Sequence, residues 1–351
     1  MDTYTKQPHP NALSPQQEVF AWHICDILVH REQYFGNFIA ELGEPSGVNE
    51  ILVHKTEQVP CHTMNIKLTK YNGNIEVMEE LLRQGGLGDA GDVGFDMSCE
   101  VDMSEHVILV HGDLLTKEHL NSVHKSRSIE ETPKNRFQYL IFLPGLFHYK
   151  MACVDALFHT YLQPKGGWDD ENSLYQHVGI LHPDKIGKMT SKPGFQRMHE
   201  VVHHNLWAAM LDCWRVEAQN QNQAWTTLEL FAKAKPSWDT IIQMSRAIVC
   251  KYVAHLDGLD KAHSKPAGNQ DKRFENQVLQ NHDGLLYVDL CQAINAGDIR
   301  RVEASFLPWI YIFKATGKHK YATHMMKFLI NMNYNYPTAI QEVVKKTFSV
   351  T

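Results

Sequence analysis

The stretch HVILVHGDLLTKEHL, residues 106–120, decides how the chain is read. Val107 to Val110 form a continuous apolar run of strand-favouring residues, which predicts a strand buried on both faces rather than one that alternates. Gly112 and Asp113 end that run, and DLLTKEHL has the form of a helix opening on an Asp cap. A second apolar run, QYLIFL at 138–143, repeats the strand signal, and the two strands are expected to be neighbours. Beyond Pro144 the pattern is almost wholly helical, in segments near 146–162, 195–218, 226–256, 275–296, 298–315, 319–332 and 337–348. Strands early and helices late predict an α+β fold, a small central sheet with a large, predominantly helical remainder, rather than an alternating βαβ one.

Working back from that stretch, Ser14 as cap and Pro15 at the first helical position open a helix predicted over 14–42, closed by Gly43 and Pro45. Between them lie strand-like runs EILVH (50–54) and HTMNIKL (62–68), a helix NIEVMEELLRQ entered from Gly73, and an acidic, Gly-rich loop from 85 to 105. Forward of it, residues 255–273 read as a linker or exposed insertion. The expected organisation is an N-terminal helical segment, 1–46, then a domain over 47–350 whose 47–163 part is mixed α/β and whose 164–350 part is helical.

Composition narrows the function classes. With 43% hydrophobic and 21% charged residues and no apolar run long enough to span a bilayer, a membrane role is not expected. The polar start MDTYTKQPHPNALSPQQ lacks a secretory pattern, so an intracellular address is expected. Seven widely spaced cysteines show neither a disulfide framework nor a C-x-x-C zinc pattern. A formal charge of −6 disfavours a polyanion partner in bulk, although 21 histidines would reverse the sign in acid, below about pH 6.

Four loci place polar residues on apolar elements. Asp113 should stand at the C-terminal lip of a central strand, either as a helix cap or as a metal- or substrate-facing carboxylate. In GLFHYKMACVDALFHTYL, His148 and Asp155 fall seven residues apart on one helical face and are expected to satisfy each other or join a shell with Asp113. In FQRMHEVVHHNLWAAMLDCW, residues 195–214, His199, Glu200 and His203 have the H-E-x-x-H spacing of zinc peptidases. Leu206 and Ala209 occupy the positions of the extended form of that motif, Glu217 and Glu229 stand in no recognisable ligand context, and Phe195, Met198, Val202, Leu206, Ala209 and Cys213 form an apolar stripe. Lacking a third ligand, the His199 and His203 pair is expected to hold no stoichiometric zinc. Lastly, Asp298 caps a helix whose Arg300, Arg301 and Glu303 are expected in solvent and whose Trp309 and Phe313 turn inward; Lys318 and Lys320 beside Tyr321 make a small basic patch suited to phosphate.

Two phrases, residues 111–164 (HGDLLTKEHL through TYLQP) and GDIRRVEASFLPWIYIFKATGKHKYA at 297–322, closely resemble domain-of-unknown-function family 6589, found in mushroom-forming fungi. The resemblance runs from about 47 to 350 and implies a transposon-derived protein with an RNase H-like core. Such a core gathers three distant carboxylates around two metal ions. Asp113 matches its Gly-Asp phrase as the middle carboxylate, Phe147 and His148 match the phrase after the next strand, and Asp155 matches an acid on that helix. The family's upstream aromatic-Asp-Asn phrase and C-terminal acids have no counterpart, and Lys67 and Lys70 stand where acids are expected. The implied reading is a truncated, degenerate transposase domain without strand-transfer chemistry, needing no cofactor, with nucleic acid or protein as candidate partners. The alternatives are a magnesium-dependent phosphodiesterase of RNase H-like type using Asp113, His148 and Asp155, and a helical protein-interaction module.

Overall fold

Ser14 opens the first helix through a capping box: its hydroxyl accepts the Gln17 amide at 3.3 Å, while the Gln17 side chain accepts the Ser14 amide at 2.9 Å. In the computed structural model, which describes residues 12–45, 57–67, 71–162, 165–183, 186–191 and 193–348, the elements follow in this order. Helices α1 (Pro15–Arg31), α2 (Ile39–Leu42) and α3 (Tyr71–Gln84) precede strands β1 (Leu87–Gly88), β2 (Val101–Asp102) and β3 (Ile108–Gly112). Helix α4 (Leu114–Ser126), strand β4 (Leu140–Pro144) and helix α5 (Leu146–Leu162) come next. The rest is helical: α6 (Leu174–Leu181), α7 (Ile186–Ser191), α8 (Phe195–Gln221), α9 (Leu228–Lys233), α10 (Trp238–Tyr252), α11 (Leu256–His263), α12 (Lys272–Ala296), α13 (Ile299–Ala315), α14 (His319–Ile330) and α15 (Thr338–Phe348). The fold is therefore α+β and mostly helical. No described helix is long and apolar enough to cross a membrane.

Two compact units divide the chain: Met1–Glu50 with Lys150–Thr323, and Ile51–Tyr149 with His324–Thr351. In the first, α1 packs against α8, α10 and α12, and α12 against α8 and α13. Phe20, Ile24 and Leu28 of α1, Trp214 of α8, Leu285 and Tyr287 of α12, and Trp309 of α13 are fully buried there. The buried Trp214 indole donates to the Ile24 carbonyl at 3.1 Å. Helices α8 and α12 approach closely at Gly284, where a Cβ would lie 3.1 Å from Leu206 Cδ1. A polar network crosses this buried interior: His23 Nε2 lies 3.1 Å from Asp289 Oδ1, and Arg301 Nε donates to the same oxygen at 3.0 Å. Asp298 caps α13 by accepting the Arg301 amide at 3.3 Å.

The second unit is built around a short parallel pair. Strands β3 and β4 run in register from Ile108 opposite Leu140 to Gly112 opposite Pro144, and α4 makes the crossover that a parallel pair requires. Leu120 and Val123 of α4, Ile75 of α3, and Leu140 and Phe142 of β4 form its core with Met103, Phe137 and Tyr139. Strands β1 and β2 form a separate two-residue parallel clip within the acidic loop. Turns there close on side chains: Asp89 accepts the Gly91 amide at 2.9 Å and Asp96 accepts that of Ser98 at 2.9 Å.

Several expectations need correction. Strand β3 is half-buried at all five positions, since among the described residues it pairs only with β4. The first helix stops at Arg31, where Glu32 turns extended, and α2 is a separate short piece. The helix expected over 226–256 is split between α9 and α10, because Lys235 adopts φ of 51° ahead of Pro236. The stretch expected as a linker at 255–273 contains α11, capped by His255. Arg301 is buried rather than solvated, at 7% exposure. Residues 62–67 form no strand, and the run at 50–54 and Lys70 lie outside the described residues.

Candidate functional site

At the C-terminal end of the parallel pair, the chain leaves β3 through Gly112 and Asp113 and leaves β4 through Gly145. The Gly145 amide donates to the Gly112 carbonyl at 2.9 Å, and a Cβ on Gly145 would sit 3.1 Å from that oxygen, so a larger residue there would push this edge apart by a few tenths of an ångström. Asp113 and His148 are thereby brought together at the entrances of α4 and α5. Asp113 Oδ1 accepts the Thr116 amide at 2.7 Å and the Thr116 hydroxyl at 2.8 Å, which makes it the cap of α4. The Thr116 amide holds this carboxyl below its ordinary range, and the nearby His148 ring acts in the same direction.

Asp155, farther along α5, belongs to the other unit. There it is engaged by Lys318, and His159 Nδ1 lies 3.3 Å from its Oδ1. Lys318 is therefore half-buried in an ion pair, while Lys320 is exposed near the start of α14.

The H-E-x-x-H segment forms one face of α8, as its spacing predicts. His203 Nδ1 lies 2.8 Å from the His199 carbonyl, and His199 Nδ1 lies 2.8 Å from the hydroxyl of Tyr287 on α12. The two imidazoles are 4.1 Å apart, centroid to centroid. Glu200 accepts the Gln196 amide group at 2.7 Å. One turn beyond Tyr287, Cys291 completes a group of three: one ligand atom each from His199, His203 and Cys291 lie within 4.8 Å of one another. Among the described residues this is the one such trio close enough to share an ion. Burial pushes the His203 imidazole down to about 4, with the charge of His199 adding to the effect, and pushes the Cys291 thiol up to about 12. Burial also raises the Tyr287 phenol. Cys291 and Tyr287 went unread in the sequence because motif spacing registers neighbours on one element, and these residues arrive on a second helix.

Clefts lie elsewhere among the described residues. One, of about 410 Å³, is in the strand-bearing unit and is lined by Glu79, Arg83, Phe95, Lys134 and Tyr139, among others. A second, of about 470 Å³, is in the helical unit and presents Tyr161, Asp170, Arg273 and Asp283. There the Tyr161 hydroxyl donates to Asp283 at 2.7 Å, and His282 lies 2.9 Å from the same carboxylate, so Asp283 is engaged on both oxygens.

The model of the family of unknown function DUF6589 matches residues 6–350. The chain belongs to that family. No curated protein and no solved structure matches it. The family match takes in α1 as well as the β3–α4–β4 segment, so the capped strand edge and the helical core both lie within the family's span.

Proposed function

We propose that the chain derives from a fungal transposase and now acts by binding rather than by cutting, its parallel strand pair being what remains of an RNase H-like sheet. Two parallel strands joined through a helix, with an acid at the C-terminal lip of the first, are what the family resemblance leads one to expect around a middle carboxylate. The observation that carries the loss of chemistry is the engagement of Asp113, whose Oδ1 serves both the amide and the hydroxyl of Thr116. Two-metal cleavage needs several carboxylates aimed at one point. Asp155, the other candidate, is held by Lys318 and His159. A net charge of −6 and the pairing of Lys318 weaken the expected basic patch, so DNA binding at physiological salt is weak and a protein partner fits the helical surface better.

A second reading, a magnesium-dependent phosphodiesterase, is favoured by the meeting of Asp113 and His148 at one strand edge. Nuclease and strand-transfer assays with magnesium or manganese near pH 7.5, on the native chain and an Asp113→Ala variant, separate the two. Equal inactivity is the expected result. Metal-dependent cleavage that the substitution abolishes overturns it and establishes the phosphodiesterase.

A further inference from the structure

The trio on α8 and α12 is independent of the strand edge and has a different chemistry. Imidazole nitrogen and thiolate sulfur are the ligand set of zinc and its borderline-soft relatives, not of magnesium or calcium. We propose that His199, His203 and Cys291 form a binding site for one zinc-class cation, with the fourth coordination position open.

The arrangement is built from both helices. The i, i+4 spacing sets the two rings on one face of α8, and the Gly284 contact brings α12 close enough to present Cys291. Tyr287 lies one turn before Cys291 on α12 and touches His199. A carbonyl only accepts, so the 2.8 Å contact between His203 Nδ1 and the His199 carbonyl fixes the proton on Nδ1. The lone pair of His203 is therefore on Nε2, the form a metal takes up. His199 meets the Tyr287 hydroxyl at 2.8 Å, and in the tautomer whose Nδ1–H donates to that oxygen its Nε2 lone pair is also left for the ion. Ligating histidines are usually oriented in this way by a partner on the opposite nitrogen.

Distances agree with a site that closes on its ion. Tetrahedral zinc, with bonds of about 2.1 Å to nitrogen and 2.3 Å to sulfur, places its ligand atoms roughly 3.5 Å apart. Atoms already within 4.8 Å need to move inward by about 1 Å, which side-chain rotation supplies. Binding replaces the S–H bond of Cys291 by an S–metal bond and releases the proton to solvent. Lys150 lies near enough to influence His199, His203 and Cys291; its positive charge favours the thiolate and opposes the cation. The thiolate that Lys150 favours is the stronger attraction once sulfur is bonded to the ion.

The full chain, stripped with chelator, is titrated with zinc and separately with cobalt(II), and bound metal is measured by elemental analysis and absorption. One ion per chain is expected, with a thiolate-to-cobalt charge-transfer band in the near ultraviolet. Cys291→Ser removes that band, His203→Ala weakens binding at least tenfold, and Tyr287→Phe weakens it by about tenfold. His204→Ala, at an exposed neighbouring position, leaves binding unchanged. Far-ultraviolet circular dichroism checks that each variant is folded. The native spectrum decides on its own if a variant fails to fold: binding of no cobalt, or of cobalt without a thiolate band, overturns the site. Failure here leaves the reading of Asp113 untouched, because that reading rests on nuclease assays alone.

Discussion

Asp113 and Asp289 are both carboxylates beside a histidine, and their surroundings make them different objects. Asp113 is half-exposed at a strand end, with His148 nearby, and its role is local, capping the helix that begins at the next residue. Asp289 is buried in the helical unit, where His23 approaches from α1 and Arg301 from α13. The first can lose its partner and turn to water. The second cannot, because a charge left in a buried interior without its counterion has nothing to replace it. Burial, rather than residue type, determines which of these acids the fold depends on.

The largest effect expected follows from that contrast. Asp289→Ala removes the closest carboxylate from the Arg301 guanidinium, 7% exposed, leaving it Asp298 at 3.9 Å and the Gln292 side chain, and should lower unfolding free energy by up to about 3 kcal/mol, read as a shift of the urea midpoint. The paired substitution Asp289→Leu with Arg301→Met removes both charges of that pair and should recover part of the loss, the remainder belonging to Asp298, which loses Arg301 as its neighbour. If the double variant were as unstable as the single one, the network would have to contribute something beyond mutual neutralisation.

Acid sharpens the same comparison. Burial alone would raise the Asp289 carboxyl, but contact with His23 and Arg301 outweighs it and holds the group below its ordinary value. A carboxylate lowered in the folded state contributes stability in full above its unfolded value, about 4, and loses it as pH falls through the folded value. Urea midpoints measured from pH 7 downward should therefore show a fall below about pH 4 that the Leu–Met double variant lacks. A fall of equal size in both proteins would assign the acid sensitivity to other carboxylates.

The sequence made much of the fold legible, and the limits were physical. The strand pair and long helices could be read because each carries its own periodicity and end signals: Ser14 with Pro15, and Asp113 after Gly112. The burial of Arg301 is not legible, because helical spacing shows which residues share a face but not whether another helix covers that face with an acid. Cys291 was likewise invisible as a neighbour of His199 and His203, since only the packing of α8 on α12 brings it there. The half-buried state of β3 depended on how many strands would pair with it, a tertiary fact absent from the run Val107 to Val110. Asp113 is legible as a cap because capping depends on its immediate neighbours, whereas a shared site depends on distant carboxylates that the local sequence does not place.

The smallest effect expected belongs to Asp113 itself. Removing a cap carboxylate leaves one backbone amide of α4 without its side-chain acceptor, which costs about 1 kcal/mol. Asp113→Ala should therefore lower the thermal midpoint by only a few degrees. Asp113→Ser retains an acceptor for the Thr116 amide and should lose less, and Asp113→Asn should behave similarly, since capping needs an oxygen and not a charge. A residue placed to hold metal behaves in the opposite way. It repels like charge when the ion is absent, so its removal stabilises the metal-free protein, and neither Ser nor Asn would reproduce the native behaviour in the presence of magnesium. Thermal unfolding of the native chain and these three variants, with and without magnesium, distinguishes the two. The order native, then Asn and Ser, then Ala, unaffected by the ion, makes Asp113 a cap; an Ala variant more stable than the native chain, with magnesium reversing the order, makes it a ligand.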